Sequence, residues 1–143
     1  MAPRYFADTA FWIALFRSRD QHHHNAVAWQ GYLLKSGTPI VTTEAVCWEW
    51  LNAMSGAATR RIAAHGFERV RHDPRIEIVP HDAGINADAL HLFAARADKD
   101  WSLTDCLSFI VMGRKSVREA LTVDNHFDQA GFRAVLGTAP PNF

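Results

Sequence analysis

The sequence predicts an α/β domain built on a mainly parallel sheet, with helices covering both faces. Three observations lead there. Short apolar runs alternate along the chain with longer segments of helical periodicity, the pattern left by βαβ units. The 143 residues and 16.1 kDa fit one domain, expected to span 1–143, which is long enough to bury a full core without staples. Composition is ordinary for a globular chain, with 48% hydrophobic and 21% charged residues.

Residues 4–7 are a short apolar-aromatic run and read as the first strand. The run ends on Asp8 and Thr9, and a short helix follows through Phe11, Trp12 and Leu15. Asp8 therefore stands at the carboxyl end of a strand, where open α/β sheets place their sites. It would serve equally well as the cap of the following helix. Residues 20–35 read as a helix with Ala26, Trp29, Leu33 and Leu34 inward and Gly37 as its stop. His22, His23 and His24 are consecutive and face different directions on a helix, so they cannot converge on one ion; a solvated first turn is expected.

Residues 39–42 are the second strand, and a helix over 43–54 follows with Val46 and Trp50 on its apolar face. Glu49 lies three residues after Val46, at the edge of that face. Glu44 is nearer the helix start, where an acid merely suits the dipole, so Glu49 is the better functional candidate. Ser55 and Gly56 break the helix. A second one over 58–71 turns Ile62, Phe67 and Val70 inward and carries Arg60, Arg61, Arg69 and Arg71. These arginines suit either a solvated face or a rim that contacts phosphates.

The third strand is 76–79, and the amphipathic segment 82–97 has Asp82 as its cap and Ile85, Ala89, Leu92 and Phe93 at helical spacing. The polar residues Asp98, Lys99 and Asp100 link it to Ser102-Leu-Thr-Asp105, which fits a capping box. A carboxylate has two oxygens, so Asp105 could both cap the helix and hold an ion. A nearly all-apolar helix over 106–112 follows, turning at Gly113. The apolar run 120–123 reads as a buried strand ending on Asp124. A turn begins at Asn125, His126 and Phe127, a last strand covers 134–136, and the tail 137–143 is irregular.

The formal net charge is zero, so any surface for nucleic acid must be a local patch. Cys47 and Cys106 sit in apolar helical patterns and read as buried free thiols of a reducing compartment. Asp8 interrupts the apolar N-terminal run, which is neither a signal peptide nor a membrane span. A cytoplasmic protein is expected.

Asp8 and Asp124 end strands, while Glu49 and Asp105 lie at or near apolar helix faces. If these four acids converge, mutual repulsion raises their pKa values, and a hard cation removes that cost. All-oxygen ligands point to Mg²⁺ or Mn²⁺ rather than zinc. Such an ion can activate water for displacement at phosphorus. The chain has no glycine-rich phosphate loop and no GxSxG elbow. Spacing alone leaves the convergence open.

The segments YFADTAFWIALF, TTEAVCWEWLN, WSLTDCLSFIVM and ALTVDNHFDQAGF occur in an order that resembles the PIN-domain nucleases, and especially the toxins of bacterial VapBC-type toxin–antitoxin pairs. The resemblance runs from Tyr5 to about Leu136, and SLTDCLSF and LTVDNHF are its most specific parts. It implies a three-layer α/β/α sandwich with a mainly parallel central sheet and an Mg²⁺- or Mn²⁺-dependent endoribonuclease. It further implies an acidic metal site of Asp8, Glu49, Asp105 and Asp124, with Thr9 and Thr122 supporting the acids by hydrogen bonds. Asp20, His23 and Ala26 match a weaker helix-start pattern. Arg60, Arg61 and Arg69 are candidates to guide an RNA backbone. The expected partners are RNA, a cognate antitoxin and a second copy of the chain.

Three rivals stand beside this reading. A phospho-receiver module should show paired acids after the first strand and a late lysine; here Asp8 is single and no lysine follows Lys115. A non-catalytic nucleic-acid-binding protein on the same scaffold would not need all four acids. An RNA-processing nuclease without an antitoxin would look the same in sequence.

Overall fold

The computed structural model describes residues 3–142; Met1, Ala2 and Phe143, at the ends of the expected domain and tail, lie outside the described residues. Its strands are β1 (Tyr5–Ala7), β2 (Ile40–Thr43), β3 (Ile76–Val79), β4 (Glu119–Leu121) and β5 (Arg133–Ala134). They form one sheet in the order β3-β2-β1-β4-β5, with every neighbouring pair parallel. The helices are α1 (Thr9–Phe16), α2 (His23–Ser36), α3 (Glu44–Ala53), α4 (Arg60–Arg71), α5 (Ala83–Ala95), α6 (Leu103–Arg114) and α7 (Asn125–Gln129). Parallel neighbours need crossovers, and these are right-handed almost without exception. The connections β1–β2 and β2–β3 run one way across the sheet and put α1–α4 on one face. The connections β3–β4 and β4–β5 run back and put α5–α7 on the other, giving the α/β/α sandwich.

Burial on both faces explains why the strands are apolar runs and not alternating patterns. Every residue of β1 and β2 is buried. On the α1–α4 side, Trp12 stacks on Trp50 with ring centroids 5.6 Å apart, and Phe16 stacks on the same indole at 5.2 Å. On the other side, Phe127 packs edge-on against Phe109 at 5.0 Å and lies 6.3 Å from Phe6. Both Cys47 and Cys106 are buried free thiols.

Several sequence expectations need correction. Ile62, Leu34 and Phe93 are each about half exposed, not inward. Helix α4 packs through Ala63, Gly66 and Val70 instead, because a Cβ on Gly66 would lie only 2.9 Å from the Phe16 ring. So close an approach leaves room only for small side chains. The expected turn after Asp124 is the short helix α7. The last strand closes at Ala134, although the Val135 and Leu136 amides still donate to the Ala120 and Thr122 carbonyls. Nor are the histidines merely a solvated turn: His23 Nδ1 lies 2.7 Å from the Ala14 carbonyl and ties α2 to α1. Residues 137–142 form neither helix nor strand.

Candidate active site

β1 and β4 are adjacent in the sheet, but the chain leaves them toward opposite faces, into α1 and α7. The carboxyl ends of two strands that diverge in this way are the switch point where α/β sheets bind ligands. Asp8 follows β1 directly, and Asp124 lies three residues beyond β4. Asp105 enters the same region from the first turn of α6.

Asp8 occupies the N-cap position of α1 but makes no side-chain capping bond. The cap reading therefore fails. Its Oδ2 accepts instead from the buried Thr122 hydroxyl at 2.8 Å, and Thr122 Oγ1 accepts from the Asp124 amide at 3.1 Å. Thr122 thus ties the two strand-end acids together. Burial is the main force pushing the Asp8 carboxyl up to about 7, against the pull of hydrogen bonds from Thr122 and the Thr9 backbone. The nearby charges of Asp105 and Glu49 raise it further.

Asp105 caps its helix and also faces His126. It closes the capping box with Ser102, whose amide donates to Asp105 Oδ2 at 3.1 Å. The same oxygen lies 3.0 Å from His126 Nδ1. Asp124 caps α7 by accepting from the His126 amide at 2.9 Å, and its Oδ1 lies 3.3 Å from the His126 ring nitrogen. One ligand atom from each of Asp105, Asp124 and His126 falls within a 4.8 Å cluster, the size that one ion spans. Asp8 is not one of the three; Thr122 links its carboxylate to the Asp124 backbone amide.

Glu49 is exposed rather than core-facing, which corrects the expectation from its spacing. It still faces the site, because the Thr9 hydroxyl at the start of α1 donates to Glu49 Oε1 at 2.6 Å. Glu44 is engaged elsewhere, accepting from the His81 amide at 2.8 Å. Arg60, Arg61 and Arg69 are exposed on α4, and none of them pairs with an acid among the described residues.

The donor set suits a hard divalent ion. Among the described residues no lysine or arginine pairs with Asp8, Asp105 or Asp124; His126 alone approaches two of them. A buried carboxylate with no cation in the chain is costly, and an ion supplies the missing charge. His126 is the member that sequence reasoning passed over. Its only signal was a position two residues after Asp124, at a helix start mistaken for a turn.

The sequence model of the PIN domain matches residues 5–133. The 23S rRNA-specific endonuclease VapC20 of Mycobacterium tuberculosis is 30% identical over 131 residues, which cover 89% of this chain and 94% of that protein. The crystal structure of VapC20, described as a sarcin-ricin loop cleaving toxin, superposes with a TM-score of 0.79 at 26% identity and covers 92% of this chain and 98% of that one. Two more distant structures share the fold. VapBC2 from Rickettsia felis, bound to a promoter DNA fragment, has a TM-score of 0.65 at 14% identity, covering 91% of this chain and 95% of that one. FitAcB from Neisseria gonorrhoeae has a TM-score of 0.62 at 19% identity, covering 92% of this chain and 95% of that one. The strand-end acids, the sheet order and the match over residues 5–133 lead to one conclusion: this chain belongs to the PIN domain family.

Proposed function

We propose that this protein is a metal-dependent endoribonuclease that hydrolyses RNA phosphodiester bonds as the toxin of a toxin–antitoxin pair. The observation that supports the proposal is the chain of contacts that links Asp8 to Asp124 through Thr122 and Asp124 to Asp105 through His126, with Glu49 held by Thr9 next to Asp8 in the chain. The similarity to VapC20 supports ribosomal RNA as the first substrate to test.

In this reading Asp8, Asp105 and Asp124 hold Mg²⁺ or Mn²⁺. When bound, such an ion supplies Lewis-acid activation of a water and neutralises charge on the scissile phosphate. Glu49 completes the site, either as a further ligand or by orienting the attacking water, and Thr9 fixes its carboxylate for that task. Thr122 holds Asp8 and the Asp124 backbone at a set separation.

Arg61 and Arg69 line a hollow with Phe16 and Ile62, and Arg17 and Arg19 line a second hollow bounded by the same two apolar residues. None of these four arginines makes a side-chain hydrogen bond or ion pair among the described residues; Arg60 donates to the Ser55 carbonyl. Thr9 touches the site and Phe16 the hollows, so α1 bridges about 10 Å between them. We assign this basic surface, Arg60 included, to the RNA backbone.

The proposed partners are a cognate antitoxin and a second copy of the chain; Leu90 and Phe93, exposed one turn apart on α5, are side chains that an interface between copies would cover. No helix among the described residues is long and apolar enough to cross a membrane, and the proposed compartment is the cytoplasm, where RNA and reduced cysteines occur together.

Cleavage-end mapping in total bacterial RNA tests the proposal. Wild type should cut at discrete sites with Mg²⁺ or Mn²⁺, EDTA should abolish cutting, and Asp105→Asn should be folded and silent. Robust cutting by that variant would refute the site.

A further inference from the structure

We propose that His126 is a positioning residue that clamps the two acids on either side of it, and does so by hydrogen bonding and not as an ion ligand. The inference rests on the metal-site reading above. Its geometry is direct. The ring Nδ1 lies 3.0 Å from Asp105 Oδ2 and 3.3 Å from Asp124 Oδ1. Ionised carboxylate oxygens only accept, so Nδ1 must carry the proton in this arrangement. The backbone amide of the same residue donates to Asp124 Oδ1 at 2.9 Å. One residue thus ties off one oxygen of each acid. Asp105 Oδ1 and Asp124 Oδ2 are left without a hydrogen bond among the described residues.

The clamp is anchored from behind. The next residue, Phe127, is fully buried between Phe109 and Phe6. Phe109 lies one turn after Asp105 on α6, and Phe6 lies two residues before Asp8 on β1. The three elements that carry the acids therefore meet in one aromatic cluster, and α7 brings the His126 donors to a fixed place above it. Without the ring donor, Asp105 and Asp124 repel each other with only the helix caps to hold them. Outer partners that orient metal-binding carboxylates act in this way, and their loss typically lowers metal affinity by roughly 10- to 100-fold.

The test is Mn²⁺ binding by titration calorimetry, with circular dichroism to confirm folding. His126→Ala should weaken binding by roughly 10- to 100-fold. His126→Asn, whose amide N–H can stand where Nδ1–H stands, should recover most of the affinity. Unchanged affinity in His126→Ala, or no recovery in His126→Asn, would overturn the clamp. So would an imidazole ¹⁵N coupling in the spin-echo spectrum of the Mn²⁺-bound protein, which would make His126 a ligand. Should His126→Ala not fold, ¹⁵N NMR of the metal-free wild type decides: a protonated Nδ1 supports the clamp and a bare Nδ1 contradicts it. That spectrum also separates the two levels of argument. If wild type takes up no Mn²⁺ at all, the metal-site reading fails while the nitrogen spectrum still reports on the clamp.

Discussion

Asp8 carries opposing demands in a single side chain. Burial pushes its carboxyl up to about 7, yet a carboxylate that binds a cation must ionise. The sign of the consequence follows from linkage. The folded-state pKa lies above the unfolded value of 3.8, so the unfolded chain releases this proton at lower pH. Stability from this group is fully present below about pH 4 and is lost as pH rises through about 7. Asp8→Asn keeps an acceptor for Thr122 and removes the charge. In the metal-free protein at pH 8 it should therefore raise stability by about 1–4 kcal/mol over wild type, with a smaller gain at pH 5. Denaturant melts at the two pH values measure this, and an equal or negative effect at pH 8 would contradict the burial argument. The tension could not be read from the sequence, where a cap for Asp8 was as plausible as a site; the Thr122 bond was implied by the family resemblance alone. The missing capping bond in the structure removes the cap reading.

At the scale of elements, the four longer strands and six of the helices were legible because apolar runs and helical periodicity report burial directly. The faces were less so. A reading that turns large apolar residues inward placed Ile62 inside, but the contact between α1 and α4 is made through Ala63 and Gly66, where bulk does not fit. This gives a test with a counterintuitive sign. Alanine favours a helix over glycine by about 1 kcal/mol. Gly66→Ala should nevertheless destabilise by roughly 1–2 kcal/mol net, because its Cβ would meet a Phe16 ring already stacked on Trp50. Thermal melting measures it, and a stabilised variant would show that the two helices can separate at little cost. Helix α7 went unread because its five residues are too short for a period to emerge. It is Asp124 as a cap and Phe127 as an anchor that make it a helix, and both depend on tertiary contacts.

For the whole molecule, a net charge of zero conceals an uneven distribution. Arg71, Arg75, Arg96, Arg114, Lys115 and Arg133 each face an acid, whereas Arg17, Arg19, Arg61 and Arg69 gather unpaired around Phe16 and Ile62. If RNA lies there, replacing Arg61 and Arg69 by alanine should weaken binding to a non-cleaved RNA and lower the slope of log affinity against log salt by about 1.4, or 0.7 per lost single-strand phosphate contact. An unchanged slope would move the RNA to another face. Convergence of the acids is likewise a property of the whole chain. It follows from the β3-β2-β1-β4-β5 order, which makes residues 8 and 124 neighbours, and no local spacing encodes that order. The order of four motifs resembling the PIN family supplied what local physics left open.

The central claim is that one divalent ion binds Asp8, Asp105 and Asp124 together. An anomalous difference map from crystals soaked in Mn²⁺ tests it most directly. The account predicts a peak at roughly 2.0–2.4 Å from an oxygen of each of the three acids. A map with no peak there, or with its peak on acids elsewhere on the surface, would contradict it.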